Sequence, residues 1–222
     1  MTQNRHQPAF LHHVHLEQAM ETHDYEWDVF LSYRRTNTVK RWMLKAFYDP
    51  FCEFLHEYIP TRKPSIFLDE KQYPGIQNPT DGLYRGLKAS RCLVAVLTPT
   101  YFHSGWCLAE WKTFVQRAQF EKEQRNARPT LISAVRLQDC EHHTQGLQLG
   151  NHNFEVFRHY YTCDFRDEKA WQHARRLSKA IDILAKSVAG LITAAPKFDA
   201  SWPIMTINPD EDADPRIVLP QM

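Results

Sequence analysis

RCLVAVLTP, residues 91–99, is an unbroken apolar run closed by Thr98 and Pro99. A strand with one wet face alternates apolar and polar residues; this one does not, so both its faces are expected to be buried. Burial on both faces belongs to a parallel sheet covered by helices on each side. Working outward, further β-type runs occur at WDVFLSY (27–33), PSIFLDE (64–70), TLISAVRL (130–137) and HYYTCDF (159–165). Helical segments separate them. RRTNTVKRWMLKAFYDPFCEFLHEYI spaces Trp42, Leu44, Phe47, Phe51, Phe54, Leu55 and Tyr58 at roughly helical intervals, with a kink or break expected at Pro50. TDGLYRGLKAS (80–90) reads as a helix with Thr80 as its N-cap, and Ser104 can cap the helix within TYFHSGWCLAEWKTFVQRAQFEKEQ. DEKAWQHARRLSKAIDILAKSVAGLI is the last long helix, with acidic residues where the helix dipole favours them. KQYPGIQNP and QDCEHHTQGLQLGNHNF read as loops. This alternation predicts an α/β, doubly wound parallel sheet with flanking helices and right-handed crossovers.

The 222 residues divide into an N-terminal arm (1–24), one domain (25–195) and a C-terminal tail (196–222) that turns acidic at NPDEDADPRIV. A hydrophobic content of 43% is enough for a large core, and 24% charged residues argues against wholesale disorder. The net charge of +1 gives no basic field to recruit nucleic acid. No run is apolar enough for a membrane span, and the N-terminus lacks the apolar stretch of a signal peptide. The five cysteines are odd in number and form no CxxC pair, so reduced thiols and a cytoplasmic location are expected. The histidines, among them His6, His12, His13, His15, His142 and His143, have no metal-site spacing with cysteines, so no metal is expected.

In a doubly wound sheet, ligands sit beyond the carboxyl ends of the strands. SYRRTN, DEKQYPGI and TPTYFHSGW occupy those ends. They bring Ser32, Tyr33, Arg34, Arg35, Asp69 and Tyr73 toward one edge, where the helix carrying Trp106 and Glu110 begins. Trp106 and Glu110 are spaced i, i+4 and so share a helix face. Three roles are open to Glu110: a solvated surface carboxylate, a satisfied structural one, or a catalytic one. Trp106 is either a core residue or a ring for a ligand, while Trp111 reads as core. Arg34 and Arg35 either pair on the surface or face a ligand. Pro74–Gly75 has the residues of a type II turn.

DVFLSYRR, IFLDEKQYPGI and SRCLVAVLTPTYFHSGWCLAEW resemble, in order and spacing, the three signature boxes of Toll/interleukin-1 receptor (TIR) domains, and WCLAE fits the WxxxE pattern of bacterial members. The resemblance covers about residues 25–190. It implies a flavodoxin-like sheet of five parallel strands in the order 2-1-3-4-5. In the enzymatic members a glutamate on the third helix cleaves the nicotinamide–ribose bond of NAD; here that residue is Glu110. The resemblance makes NAD a substrate, with no cofactor. It places Ser32, Tyr33, Arg34, Arg35, Asp69, Tyr73 and Trp106 as substrate-binding residues, the arginines on the pyrophosphate and Trp106 under a base. Pro74 and Gly75 then belong to a mobile loop used in self-assembly and in covering the site. The expected activity is NAD hydrolysis or ADP-ribosyl cyclisation in a bacterial antiphage effector, restrained until self-association or an activating partner releases it. The alternative is a non-catalytic scaffold docking onto other TIR domains. A phosphorylated receiver is disfavoured, because the first strand ends in SYRR and lacks the acidic residues beside which Asp69 would take phosphate.

Overall fold

The computed structural model describes residues 24–68, 79–137, 154–157 and 170–206. Its strands are β1 (Trp27–Tyr33), β2 (Ile66–Phe67), β3 (Ser90–Leu97), β4 (Ile132–Arg136) and β5 (Phe154–Val156). Its helices are α1 (Asn37–Trp42), α2 (Tyr48–Tyr58), α3 (Pro79–Ala89), α4 (Gly105–Arg125) and α5 (Ala170–Thr193). The strands form one sheet in the order β2-β1-β3-β4-β5, every neighbouring pair parallel. The fifth strand expected at 159–165 lies outside the described residues. Among the described residues the edge strand of the sheet is Phe154–Val156, which begins at the last residue of a stretch expected to be loop. Three residues are too few to give a period-2 signal.

β3 is buried from Cys92 to Leu97 without a break. Its residues alternate between two cores, as side chains on a pleated strand must. Val94 and Val96 join Val29 and Leu31 of β1 under α1, α2 and α5. Leu93, Ala95 and Leu97 join Phe30 under α3 and α4. Ser32, two residues beyond Phe30, therefore projects toward the α4 face.

Pro50 does not break its helix. Chain geometry changes before it: Met43–Phe47 form a π-helical turn, in which the N–H of Tyr48 reaches the carbonyl of Met43. Proline has no N–H to donate to the i−4 carbonyl and its ring crowds that carbonyl, and the wider turn lies where this strain falls. Thr36 caps α1, accepting from the N–H of Val39 at 3.4 Å.

The stretch 196–206, set apart from the sequence as tail, packs on the domain. Trp202 is 1% exposed. Its Nε1 donates to Glu121 Oε1 at 2.7 Å, and the guanidinium of Arg117 lies 4.4 Å from its ring centroid. Lys88 Nζ donates to the Trp202 carbonyl at 3.0 Å and also to that of Ala200. Tyr25 Oη donates to the Pro196 carbonyl at 2.9 Å. Two cationic residues of α3 and α4 are thus buried at the amino edge of the sheet with the C-terminal strap as their cover. Arg117 also spends donors on the carbonyls of Ser90 and Leu87, each at 2.7 Å.

Two stability measurements check this packing. Trp202→Ala is expected to cost about 3–5 kcal/mol, as for a fully buried large aromatic, read by denaturant unfolding. Gly86→Ala is expected to cost about 1–3 kcal/mol. A Cβ there would lie 2.6 Å from the Phe67 ring. That ring cannot retreat, being stacked on Phe30 at 4.9 Å and set edge-on to Trp27 at 5.1 Å.

Candidate active site

The carboxyl ends of β1 and β2, the α3 wall and the second turn of α4 meet in one cleft, with the turn after β3 packed behind Ser32. Three local features place its groups. Pleating sends Ser32 to the α4 face. After β3, Thr98-Pro99-Thr100-Tyr101 makes a β-turn, with the Tyr101 N–H bonded to the Thr98 carbonyl at 3.0 Å. Pro99 stands at the position that fixed φ favours, and Thr100 has φ −94 and ψ 0, as the next position of a type I turn requires. Tyr101 is thereby turned inward and is fully buried. Ser104 then caps α4 through the N–H of Cys107 at 3.5 Å, as the sequence predicts. That start sets the helix phase so that Glu110 faces the sheet.

Glu110 is 7% exposed. Ser32 Oγ donates to Glu110 Oε2 and is itself 2.6 Å from Tyr101 Oη. Burial pushes the Glu110 carboxyl up to about 7; the Ser32 hydrogen bond and the charge of Arg35 pull the other way. The cleft is lined by Phe30, Leu31, Ser32, Tyr33, Arg35, Leu68, Leu83 and Glu110, polar and apolar groups in equal share. A buried carboxylate in such a cleft, its proton affinity raised by burial, suits a group that must balance a developing positive charge.

Of the site residues expected from sequence, Ser32, Tyr33, Arg35 and Glu110 line this cleft together. Arg34 is half-buried beside it, and its charge acts on Cys107. Trp106 is half-buried and packs at the border of the α4-side core, outside the cleft lining; Trp111 is a core residue, edge-on to Phe102 at 5.4 Å. Asp69, Tyr73, Pro74 and Gly75 lie outside the described residues. Sequence reading passed over Tyr101, although the Thr-Pro-Thr turn just before it was a signal that the tyrosine is aimed by design of the chain. Leu83 was missed as well, because a leucine on an amphipathic helix carries no mark of a cleft wall.

No group of three or more His, Cys, Asp or Glu comes together to hold a metal ion among the described residues. Nor, among them, is any helix long and apolar enough to cross a membrane. Among the described residues, Cys52, Cys92 and Cys107 form no disulfide.

A family model described as TIR domain matches residues 29–178. The comparison with curated proteins returns no match. Among solved structures, the TIR domains of the activated Roq1 resistosome directly recognizing the pathogen effector XopQ match over 74% of this chain and 84% of theirs, with 21% identity and a TM-score of 0.31. Agreement that weak says nothing of shared activity.

The burial of Glu110 predicts a pH-dependent stability effect. Its folded value lies above the unfolded 4.5, so the protonated state is the one that folding favours. That contribution is complete below about 4.5 and is lost as pH rises through about 7. Glu110→Gln, which carries no charge at any pH, is therefore expected to be more stable than the parent at pH 8, by up to about 3 kcal/mol. The difference should close as pH falls toward 4. Paired thermal melts across this range measure it.

Proposed function

The chain belongs to the TIR domain family, and we propose that its cleft cleaves the nicotinamide–ribose bond of NAD with Glu110 as the catalytic carboxylate. The observation that carries this reading is the placement of Glu110: buried, aimed into the cleft, and hydrogen-bonded through Ser32. Rupture of the N-glycosidic bond builds oxocarbenium-like charge on the ribose, which a carboxylate beside it stabilises. Nicotinamide leaves from a cationic ring and needs no strong general acid. A single carboxylate can therefore serve where ordinary glycosidases use two. Water at the activated ribose gives hydrolysis; a nucleophile of the same molecule gives cyclisation.

Arg35, at the cleft mouth, is the residue we assign to the pyrophosphate, with Arg34 beside it. Tyr33 and Ser32 form the wall nearest the ribose. Trp106 is assigned to stacking at the rim, and Asp69 and Tyr73 to the neighbouring loop. Constitutive cleavage would exhaust the NAD of a cell, so activity is restrained until self-association, with Pro74 and Gly75 in the contact, or an activating partner releases it. The role in bacterial antiphage defence follows the WCLAE resemblance alone.

The test is direct. Purified protein is incubated with NAD, alone and at high concentration, and the products are resolved by chromatography and mass. Nicotinamide release is expected. Because the charged carboxylate is the working form, kcat/KM should rise with pH through about 7, the value to which burial brings Glu110. Glu110→Gln should lose about 10²–10³ in rate while remaining folded. A folded Gln variant with full activity would remove Glu110 from the chemistry. No cleavage by the assembled wild type would leave the TIR–TIR scaffold as the function.

A further inference from the structure

Tyr101 is fully buried, yet it carries a hydroxyl. Among the described residues, Ser32 Oγ is the one hydrogen-bond partner of that hydroxyl, at 2.6 Å. Ser32 is 2% exposed and bonds in turn to Glu110 Oε2. Three buried oxygens from three elements therefore form one chain: the turn after β3, the end of β1, and α4.

Proton counting sets the direction of that chain. An ionised carboxylate only accepts. Ser32 has one hydroxyl proton, and while it points to Glu110 the bond to Tyr101 must be donated by Tyr101. We propose that Tyr101 is a positioning residue for Glu110: its hydroxyl turns the single proton of Ser32 onto the carboxylate and so holds Glu110 charged and aimed into the cleft. Reversing the chain would leave the Tyr101 proton buried without an acceptor, which is costly. Polarisation along the chain strengthens the bond that reaches the carboxylate. Tyr101 itself does not ionise, since burial holds its phenol well above the usual range.

Arg35, after β1, favours the anion by its charge. Cys107, one turn earlier on α4, is kept a neutral thiol by burial, with Glu110 reinforcing it. Tyr33 shares the cleft lining, and the α3 wall offers Leu83, which has no charge. Among the described residues the carboxylate is hydrogen-bonded by Ser32, and Tyr101 acts on it through Ser32.

The catalytic meaning of this chain rests on the reading of Glu110 as the NAD-cleaving carboxylate, but the chain can be tested without activity. In wild-type protein carrying ¹³C-labelled Glu side chains and tyrosine rings, the Glu110 carboxyl is assigned by its loss in Glu110→Gln. We expect the Tyr101 Cζ resonance to move with the Glu110 midpoint and to stay still in Glu110→Gln. A Tyr101 resonance indifferent to Glu110 titration would overturn the proposal. Tyr101→Phe should raise the Glu110 midpoint by about half a pH unit to one, and raise the acid limb of NAD cleavage equally. Ser32→Ala should raise it further, and Tyr101→Phe added to Ser32→Ala should then do nothing more. An additive effect, or a fall in melting temperature with an unmoved midpoint, would make Tyr101 a packing residue only. Should Tyr101→Phe fail to fold, the wild-type resonance decides. Absence of NAD cleavage with the midpoint shifts intact would overturn the catalytic reading and leave the chain standing.

Discussion

Everything in this domain is arranged around a strand that water does not reach. β3 presents apolar residues to both sides, so helices must cover both sides. One cover is α1, α2 and α5; the other is α3 and α4. β1 pairs alongside β3 in parallel, with Ser32 opposite Ala95. Parallel strands carry their carboxyl ends to one edge, and the chain must turn there before each crossover. The cleft forms at that edge, between the ends of β1 and β2, α3 and α4, with the turn after β3 bonded behind it through Ser32. The requirement to bury β3 is thus also what places a hydroxyl, a phenol and a carboxylate within reach of one another.

The two edges of the sheet solve opposite problems. At the amino edge, charge is neutralised as completely as the chain allows. Asp28, fully buried, accepts from the Ser65 N–H at 2.9 Å and pairs with Arg62 and Arg91. Arg117 and Lys88 are covered by carbonyls and by the Trp202 strap. Both Nη groups of Arg117 donate to carbonyls and its guanidinium lies against the Trp202 ring, which stabilises a buried cation, while its Nε has no partner among the described residues. At the carboxyl edge, among the described residues, Glu110 has the Ser32 hydroxyl as its hydrogen-bond partner and the charge of Arg35 acting on it. Its proton affinity is raised by burial. Stability is given up at the position where chemistry needs a carboxylate that responds near neutral pH.

The C-terminal strap shows how far a domain boundary can lie from a composition change. Pro196 begins an irregular stretch, yet Trp202 behind it fills a place between α3 and α4 and bonds to Glu121. Arg125 joins the same surface, paired with both Glu121 and Asp199. A single buried indole ring is enough to tie such a segment down, since burying an aromatic of that size outweighs the entropy of ordering a few residues.

The sequence by itself determined the first four strands of the sheet, the helices covering it and the edge at which ligands are expected. Unbroken burial in RCLVAVLTP, helical spacing in the crossovers and capping by Ser104 are local patterns, and local patterns survive in one dimension. It also singled out Ser32, Tyr33, Arg35 and Glu110, which the cleft brings together. Only the tertiary structure decided that Glu110 is buried rather than solvated, because its environment comes from β1, 78 residues earlier in the chain. The same holds for Tyr101, whose partner is 69 residues away, and for Trp202, whose partner is 81 away. Trp106 illustrates the converse: its spacing from Glu110 was legible, but the structure alone shows it half-buried at the border of the α4-side core, outside the cleft lining. Spacing along a helix says which residues share a face; which neighbour that face meets is set by contacts between distant parts of the chain.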